Sequence, residues 1–333
     1  MAEKPRIYVT DFIAEPCDIE RRILGDIAEV MALDVPDESH LPGKIEDAAA
    51  IMMYHCVQMS APLIESLRDC KLIIRCGVGY DNIDIAAART RGIPVANVPD
   101  YGTEEVADSA IGMALALARG FHLHNVRLQR GEGEWSHASA VPLRRLRGRT
   151  FGIVGLGRIG SAVALRAKVL GMEVAFHDPY VPDGMDKALG VRRVETLGEL
   201  LAMSSILSIH CPGTAETQSL IDFDTLAQMP RGSFLVNTAR GSITNPDAVL
   251  EALASGHLAG AAIDVLPEEP PPPDAAFLGA WRDPSHPASL RLLLNPHSAF
   301  YSEEGLDDMR IKGSQNCRRA LLGQPLRNIV NGL

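Results

Sequence analysis

The sequence predicts an α/β protein in which parallel sheets are covered by helices. Three observations carry that prediction. Short apolar runs alternate with helical patterns along most of the 333 residues, as they do when strands are joined by helical crossovers. The apolar fraction, 46%, allows a substantial core, and the length is long for one domain and short for three, so two domains are expected. A glycine-rich run, Gly155-Leu-Gly157-Arg-Ile-Gly160, sits between a strand pattern and a helix pattern.

The elements follow in order. Strand patterns fall at Arg6–Val9, Ala50–Tyr54, Lys71–Arg75 and Pro94–Ala96, and a helix between the first two carries Ile19, Ile23, Ile27 and Val30 on one face. From Thr103 to about Arg119, Thr103 suits a cap and Glu104 and Glu105 suit the positive end of a helix. Val106, Ala110, Ala114 and Leu117 repeat there at helical spacing. So many small residues suit a core helix and a subunit contact, and both roles are expected. A second series of strands follows at Phe151–Val154, Glu173–Phe176, Ile206–Ile209, Ser233–Val236 and Ala259–Ile263, with a last apolar run at Leu292–Leu294. Thr196 and Glu199 make a capping box, Asn245–Pro246 starts a helix and Gly256 ends it. Pro267–Pro273 must be loop. Ser302 opens a final helix to about Leu322, with Gly323 as its stop.

Charge and composition exclude several functions. The net charge of −10, from 42 acidic and 32 basic residues, argues against a nucleic-acid partner. The one dense basic cluster, Arg144, Arg145, Arg147 and Arg149, reads as a solvated or subunit-facing stretch. Cys17, Cys56, Cys70, Cys76, Cys211 and Cys317 form no C-x-x-C pair and no zinc-spaced cluster, so no metal and no disulfide framework are expected. MAEKPRIYVTDF lacks the pattern of a signal peptide, and no run of about 18 apolar residues exists to span a membrane. A cytoplasmic protein with no membrane partner is the expectation.

The glycine run gains meaning from its surroundings. A strand precedes it, a helix with Ala162, Val163, Leu165 and Val169 follows it, and an acid, Asp178, ends the next strand. Such glycines let the backbone approach a pyrophosphate while the helix N-terminus stabilises its charge. Asp178 would accept hydrogen bonds from the adenosine ribose and repel a 2′-phosphate, so NAD is expected over NADP. The plainer reading of Asp178, a turn residue before Pro179, stays open. In open α/β sheets ligands bind outside the carboxyl ends of the strands. Gly155, Asp178, His210–Cys211, Thr238–Ala239–Arg240 and Asp264 all lie just past strand patterns. Arg158, Ile159, Pro212, Thr217 and Thr103 complete the candidate cofactor set.

Reduction of a 2-oxo acid needs a cation for the carboxylate, a proton donor for the new alkoxide, and a group that tunes the donor. Arg240 is the leading cation, since a guanidinium binds carboxylate oxygens with two parallel hydrogen bonds. Ten histidines compete for the donor role. His122, His124, His137 and His257 have plain helical or post-helical explanations, whereas His297 follows the last apolar run in Asn-Pro-His-Ser.

Arg240 in NTARGS, Glu269 in DVLPEEP and His297 in NPHSAF resemble the Arg/Glu/His set of the D-isomer-specific 2-hydroxyacid dehydrogenases, and GLGRIG with Asp178 extends the match over nearly the whole chain. Within that family the segments MMYHCVQMS, DNIDIAAA, VALRAK, HDPYVPDG and AFYSEEG are most similar to the C-terminal-binding protein branch of transcriptional corepressors. The resemblance selects Glu269 over Glu268, because the family glutamate directly precedes a proline. A carboxylate hydrogen-bonded to imidazole stabilises the protonated ring and keeps the donor loaded near neutral pH.

The resemblance also implies two Rossmann- or flavodoxin-like doubly wound domains. Residues 1–102 and 299–333 would form a substrate domain, and residues 103–298 an inserted NAD-binding domain with a dimerisation helix at 103–119. Hinges would lie near Tyr101–Thr103 and Pro296–Phe300. The turn Cys76-Gly77-Val78-Gly79-Tyr80 would present Val78 and Gly79 N–H groups to a substrate carboxylate, flanked by His55 and Arg75; for Arg75 a strand-end salt bridge is an equal alternative. Two departures stand out. Phe300 replaces the tryptophan that lines the corepressors' pocket, and the loop from Pro270 to Leu290, with Trp281, is longer than usual. The expected function is interconversion of a 2-oxo acid and a D-2-hydroxy acid by a homodimer. The rival is a peptide-docking module of corepressor type, stabilised by NAD.

Overall fold

The computed structural model describes residues 3–140 and 142–333; Met1, Ala2 and Val141 lie outside the described residues. The chain divides into two compact units, one formed by residues up to Gly102 together with Ser302–Leu333, the other by Thr103–Tyr301.

The first unit contains β1 (Arg6–Val9), α1 (Asp18–Leu24), β2 (Glu29–Ala32), β3 (Ala48–Met53), α2 (Ala61–Ser66), β4 (Ile73–Arg75), α3 (Ile85–Thr90) and β5 (Val95–Asn97). Its five strands are all parallel in the order β2-β1-β3-β4-β5, the doubly wound order whose switch point lies between β1 and β3. Buried Tyr8, Ile51, Met53, Ile64, Ile73 and Val95 form its core on the α2–α3 side.

The helix expected to reach Val30 is shorter than its apolar spacing suggested. It ends at Leu24, where the N–H groups of Ile27 and Ala28 both donate to the Leu24 carbonyl after Gly25. Val30 then belongs to edge strand β2, paired with Ile7. Helical and strand periods both place Ile19 and Val30 inward, and only the glycine break separates the two.

The second unit contains α4 (Thr103–Arg119), α5 (Phe121–Gln129), β6 (Thr150–Val154), α6 (Arg158–Val169), β7 (Glu173–His177), α7 (Met185–Leu189), β8 (Arg192–Arg193), α8 (Leu197–Met203), β9 (Ile206–Ile209), α9 (Phe223–Ala227), β10 (Ser233–Asn237), α10 (Pro246–Ala254), β11 (Leu258–Ile263), α11 (Ala276–Arg282) and β12 (Leu292–Leu294). Seven parallel strands run in the order β12-β11-β10-β9-β6-β7-β8, so the order reverses between β6 and β9. That is the dinucleotide-binding topology, with its crevice at the glycine turn.

Successive residues of one strand serve opposite faces. Ile153 and Val236 join the cluster under α4 and α6, while Val154 and Leu235 join the cluster under α8 and α10. α4 lies in the core of this unit, with Ala107, Ala110, Ala114 and Leu117 all buried. Gly260 of β11 admits it closely, since a Cβ there would sit 2.9 Å from Leu117 Cδ2. Thr103 is the first helical residue rather than the cap. Three expected punctuation marks are present: the Thr196–Glu199 capping box, the Asn245 cap before Pro246, and Gly256 at φ +67°. The segment between Pro270 and Leu290, read from sequence as loop, contains α11, and Trp281 packs against the core of this unit. No helix among the described residues is long and apolar enough to cross a membrane, and no described group of His, Cys, Asp and Glu has metal-ligand geometry.

The last helix, α12 (Glu303–Leu321), is capped by the Ser302 hydroxyl and returns to the first unit. Gly313 lets it approach the sheet, for a Cβ there would meet Cys76 Sγ at 2.8 Å and Met52 Cε at 3.1 Å. Arg310 ties it to α1, bonding the fully buried Glu20 at 2.8 and 2.7 Å and Asp18 at 2.9 Å. Removing one partner of a buried ion pair leaves the other charge uncompensated. Arg310→Ala is therefore expected to lower the unfolding free energy by about 3–5 kcal/mol. Arg318→Ala, whose partner Asp26 is exposed, should leave the urea midpoint nearly unchanged. Equal midpoint shifts for the two variants would contradict this account.

Candidate active site

The carboxyl ends of the strands in the second unit carry most of the candidate residues. After β6 the chain turns at Gly155, whose φ is +90° and whose N–H donates to the His177 carbonyl at 3.0 Å. A Cβ at Gly155 would lie 2.7 Å from Cys211 N, and one at Gly160 would lie 2.1 Å from the Gly155 oxygen. A Cβ at Gly157 would meet nothing within 4 Å. Crowding thus demands the outer glycines, while the middle one leaves an open cradle where α6 begins, with Arg158 exposed and Ile159 half-buried. Backbone N–H groups and the helix dipole make such a cradle suited to a pyrophosphate.

Asp178 is bonded as the turn residue that the plainer reading expected. Its Oδ2 accepts from Leu156 N–H at 2.8 Å, inside the glycine turn, and its Oδ1 accepts from Tyr180 and Val181 N–H at 2.9 and 3.2 Å. A carboxylate has about four acceptor sites, so capacity for a ribose hydroxyl remains. At the end of β10, the buried Thr238 hydroxyl has no hydrogen-bond partner among the described residues. A buried polar atom without a partner costs free energy, and a bound polar ligand would remove that cost. The cradle and this hydroxyl together fit a dinucleotide.

The neighbouring loop is shaped rather than charged. His210 is half-buried with its ring 2.8 Å from Ser208 Oγ, and desolvation of the ring pushes its pKa down to about 3, so it is neutral at ordinary pH. Burial also pushes the Cys211 thiol up to about 11. Thr217 Oγ1 donates to the Pro212 carbonyl at 2.7 Å and accepts from Thr214 N–H at 2.8 Å, which stiffens the loop. Thr103, half-buried, opens α4.

Arg240, Glu269 and His297 come together in this unit. His297 Nδ1 lies 2.5 Å from Glu269 Oε2. Burial pushes the Glu269 carboxyl up, but the hydrogen bond and charge of His297, the Leu266 N–H at 2.7 Å and the Arg240 guanidinium outweigh it. The net result lies below the usual carboxylate range. Gly241 brings the Arg240 loop against the Glu269 loop: a Cβ there would overlap the Leu266 backbone at 1.9 Å. Asn237 fixes the loop from within, donating to the Arg240 carbonyl at 2.9 Å and accepting from Ala239 N–H at 3.0 Å. Phe300 stands edge-on to the His297 ring, with centroids 6.1 Å apart and planes at 84°.

Asp264 has a place that the sequence did not disclose. It is buried, its carbonyl accepts from His297 N–H at 2.8 Å, and its carboxylate accepts from Ser298 and Ala299 N–H. His297 itself is left-handed, at φ +51°. A non-glycine residue there costs about 1–2 kcal/mol, and the Asp264 bonds hold it in place. The clue in the sequence was an acid at a strand end, which also suits a direct ligand contact. Asn237 and Gly241 gave no separate signal beyond flanking Arg240.

In the first unit, β4 ends at Arg75, which is buried, with its Nη1 donating to the Cys76 carbonyl at 2.9 Å. A Cβ at Gly77 would overlap that same Nη1 at 1.3 Å, so glycine is required where the guanidinium lies. Asn97 Nδ2 donates to the Val78 carbonyl at 2.7 Å, fixing the turn that exposes Val78 and half-exposes Gly79. His55 is exposed, and the Phe12 ring packs on it at 4.9 Å. Buried Asp11 accepts the N–H groups on either side of His55, those of Tyr54 and Cys56, at 2.9 and 2.8 Å.

The crowding at Gly160 yields a test of the cradle. Gly160→Ala should weaken NADH binding at least about ten-fold, or 1.4 kcal/mol, with the circular dichroism spectrum retained. Unchanged affinity in a fluorescence titration would remove the glycine turn from the cofactor site.

Comparisons with known proteins agree with this topology. Residues 111–299 match the D-isomer specific 2-hydroxyacid dehydrogenase, NAD binding domain. The chain is 33% identical over 343 residues to C-terminal-binding protein 1 of Caenorhabditis elegans, covering 99% of this chain and 45% of that protein. It is 32% identical over 326 residues to D-3-phosphoglycerate dehydrogenase of Methanocaldococcus jannaschii, covering 98% of this chain and 59% of that one. The chain thus spans about half the length of these two relatives. The crystal structure of D-lactate dehydrogenase from Aquifex aeolicus, complexed with NAD and lactic acid, superimposes with a TM-score of 0.86, at 26% identity over 98% of this chain and 99% of that one. The cofactor is NAD. The chain belongs to the D-isomer-specific 2-hydroxyacid dehydrogenase family.

Proposed function

We propose that this protein is an NAD-dependent D-2-hydroxyacid dehydrogenase that interconverts a 2-oxo acid and its D-2-hydroxy acid. The observation that carries the reading is the 2.5 Å contact between His297 Nδ1 and Glu269 Oε2, in a unit that also holds Arg240 and the glycine cradle. Gly155, Gly157, Gly160 and the α6 N-terminus hold the pyrophosphate, Asp178 takes the adenosine ribose, and Thr238 takes a polar group of the dinucleotide. Bound NADH supplies the hydride. Arg240 pairs with the substrate carboxylate and polarises the ketone through its fixed fork of donors. His297 gives its proton to the new alkoxide from Nε2, because Nδ1 is committed to Glu269. Glu269 stabilises the imidazolium and fixes the ring, while Asp264 holds the backbone that carries it. Phe300, smaller than tryptophan, bounds the substrate beside His297. Within the first unit, the Val78 and Gly79 N–H groups, with His55 and Arg75, are the candidates for binding a carboxylate.

A homodimer is part of the proposal. Exposed apolar side chains lie on α5, on α6 and in the segment after α5, including Phe121, Leu128, Trp135 (90% exposed) and Val169 (88%). Apolar side chains left this open to water suit an interface between copies. Sedimentation equilibrium at micromolar concentration should give twice the chain mass; a monomer would count against this part.

NADH oxidation with glyoxylate, pyruvate, hydroxypyruvate and larger 2-oxo acids tests the activity. Turnover on at least one is expected, and His297→Ala should lower kcat by about 10²–10⁴ with NADH affinity nearly unchanged. Failure on every acid despite tight NADH binding would favour the peptide-docking alternative. The pH profile has a fixed sign. Because the folded-state pKa of Glu269 lies below its unfolded value, its charge and its stabilising pairing are present above about pH 4.3 and are lost only as pH falls further. Reductase kcat/KM should therefore show no acid-side loss down to about that pH. An acid limb near pH 6 that vanishes in Glu269→Gln would contradict the assignment.

A further inference from the structure

The strand order of the second unit places β6 between β7 and β9. Neighbouring strands lie about 4.8 Å apart, so the ends of β7 and β9 are separated by roughly 10 Å. A side-chain bond between the loops that follow them must pass over the end of β6, where the glycine turn lies. One such bond exists: the Tyr180 hydroxyl, from the loop after β7, donates to Glu216 Oε2 in the loop after β9. Tyr180 is two residues beyond Asp178, which accepts its N–H. Glu216 adjoins Thr217, whose bonds to Pro212 and Thr214 stiffen its loop. Packing does not account for the pair, since Tyr180 is 75% exposed.

We propose that Tyr180 and Glu216 form a strap over the adenosine half of the NAD site, and that Glu216 acts with Asp178 to select NAD against NADP. The inference deepens the NAD assignment and rests on it. Asp178 turns its carboxylate oxygens toward three backbone N–H groups. Glu216, which accepts from the neutral Tyr180 phenol, brings a second carboxylate to the rim. A 2′-phosphate adds close to two negative charges at the same end of the site, so a second carboxylate opposes it where a hydroxyl is tolerated. Tyr180 is the positioning residue that keeps Glu216 over the turn. Glu216, and to a smaller extent Asp178, push the phenol pKa up, so it remains a donor at physiological pH.

The test measures dissociation constants of NADH and NADPH by fluorescence, at low salt and at about 1 M salt, for the natural chain and three variants. Glu216→Gln should lower the NADPH-to-NADH ratio of dissociation constants about five-fold at low salt, the order expected of one solvent-screened charge acting on a phosphate. The shift should shrink at about 1 M salt, where the screening length falls to about 3 Å. Tyr180→Phe keeps the charge but releases it, and should move the ratio about two-fold in the same direction. A Glu216→Gln ratio unchanged at low salt, or a shift that survives high salt undiminished, overturns the proposal. If Asp178→Asn alone moves the ratio, selection rests on Asp178 and the NAD reading stands without the strap. If Asp178→Asn also leaves it fixed, the reading of Asp178 itself fails.

Discussion

Asp264 ends β11 inside the second unit, sealed from water, and every acceptor it offers is turned toward the next loop. Its carbonyl takes His297 N–H and its carboxylate takes Ser298 and Ala299 N–H. Those bonds hold His297 in a left-handed conformation that an imidazole-bearing residue would otherwise leave. Burial pushes the Asp264 carboxyl up, and the two N–H bonds counter it. The orientation of the His297–Glu269 pair depends on this one residue, through its carbonyl and its carboxylate together. Without it, Glu269 would face a loop free to relax, and the short contact between them would have no fixed partner.

The same economy of position recurs along the sheet. The strands supply ends, and glycine decides which ends can touch. Gly155 meets the His210–Cys211 backbone, Gly160 meets Gly155, and Gly241 meets Leu266. Each contact is backbone on backbone, so no rotamer change can absorb an added methyl group. Gly77 differs only in that its missing side chain is replaced by the guanidinium of Arg75. The loops that carry chemistry are therefore registered against one another by close approach rather than by large buried side chains.

Much of this was legible in the sequence, for identifiable reasons. Strands β1 and β9 were read to the residue and helix α4 to within one, because buried parallel strands are short apolar runs and α4 has an unbroken small-residue repeat. Val30 was misplaced because its spacing satisfies both periods, and only Gly25 tells them apart. Strand β8, two arginines at a sheet edge, carries no apolar signal at all. In the site, Arg240, Glu269 and His297 were found through motif order and not through spacing. What stayed hidden was how polar groups divide their bonds: Asp264 toward the His297 loop, Asn237 toward Arg240, Tyr180 toward Glu216. Such pairings link residues far apart in the chain, and residue type alone does not reveal which partner each one takes.

The return of α12 to the first unit has a consequence for how the molecule is made. Ser314 approaches Met52 across 262 residues, and Arg310 reaches Glu20 across 290. At about 5–20 residues per second, a ribosome delivers α12 some 13–50 s after β3 has emerged. Through that interval one face of the first sheet, and the carboxylate of Glu20, wait without the helix that covers them. The second unit, whose residues are contiguous, can close while the first is still incomplete. Until α12 emerges to cover it, that open sheet is exposed to capture by something else.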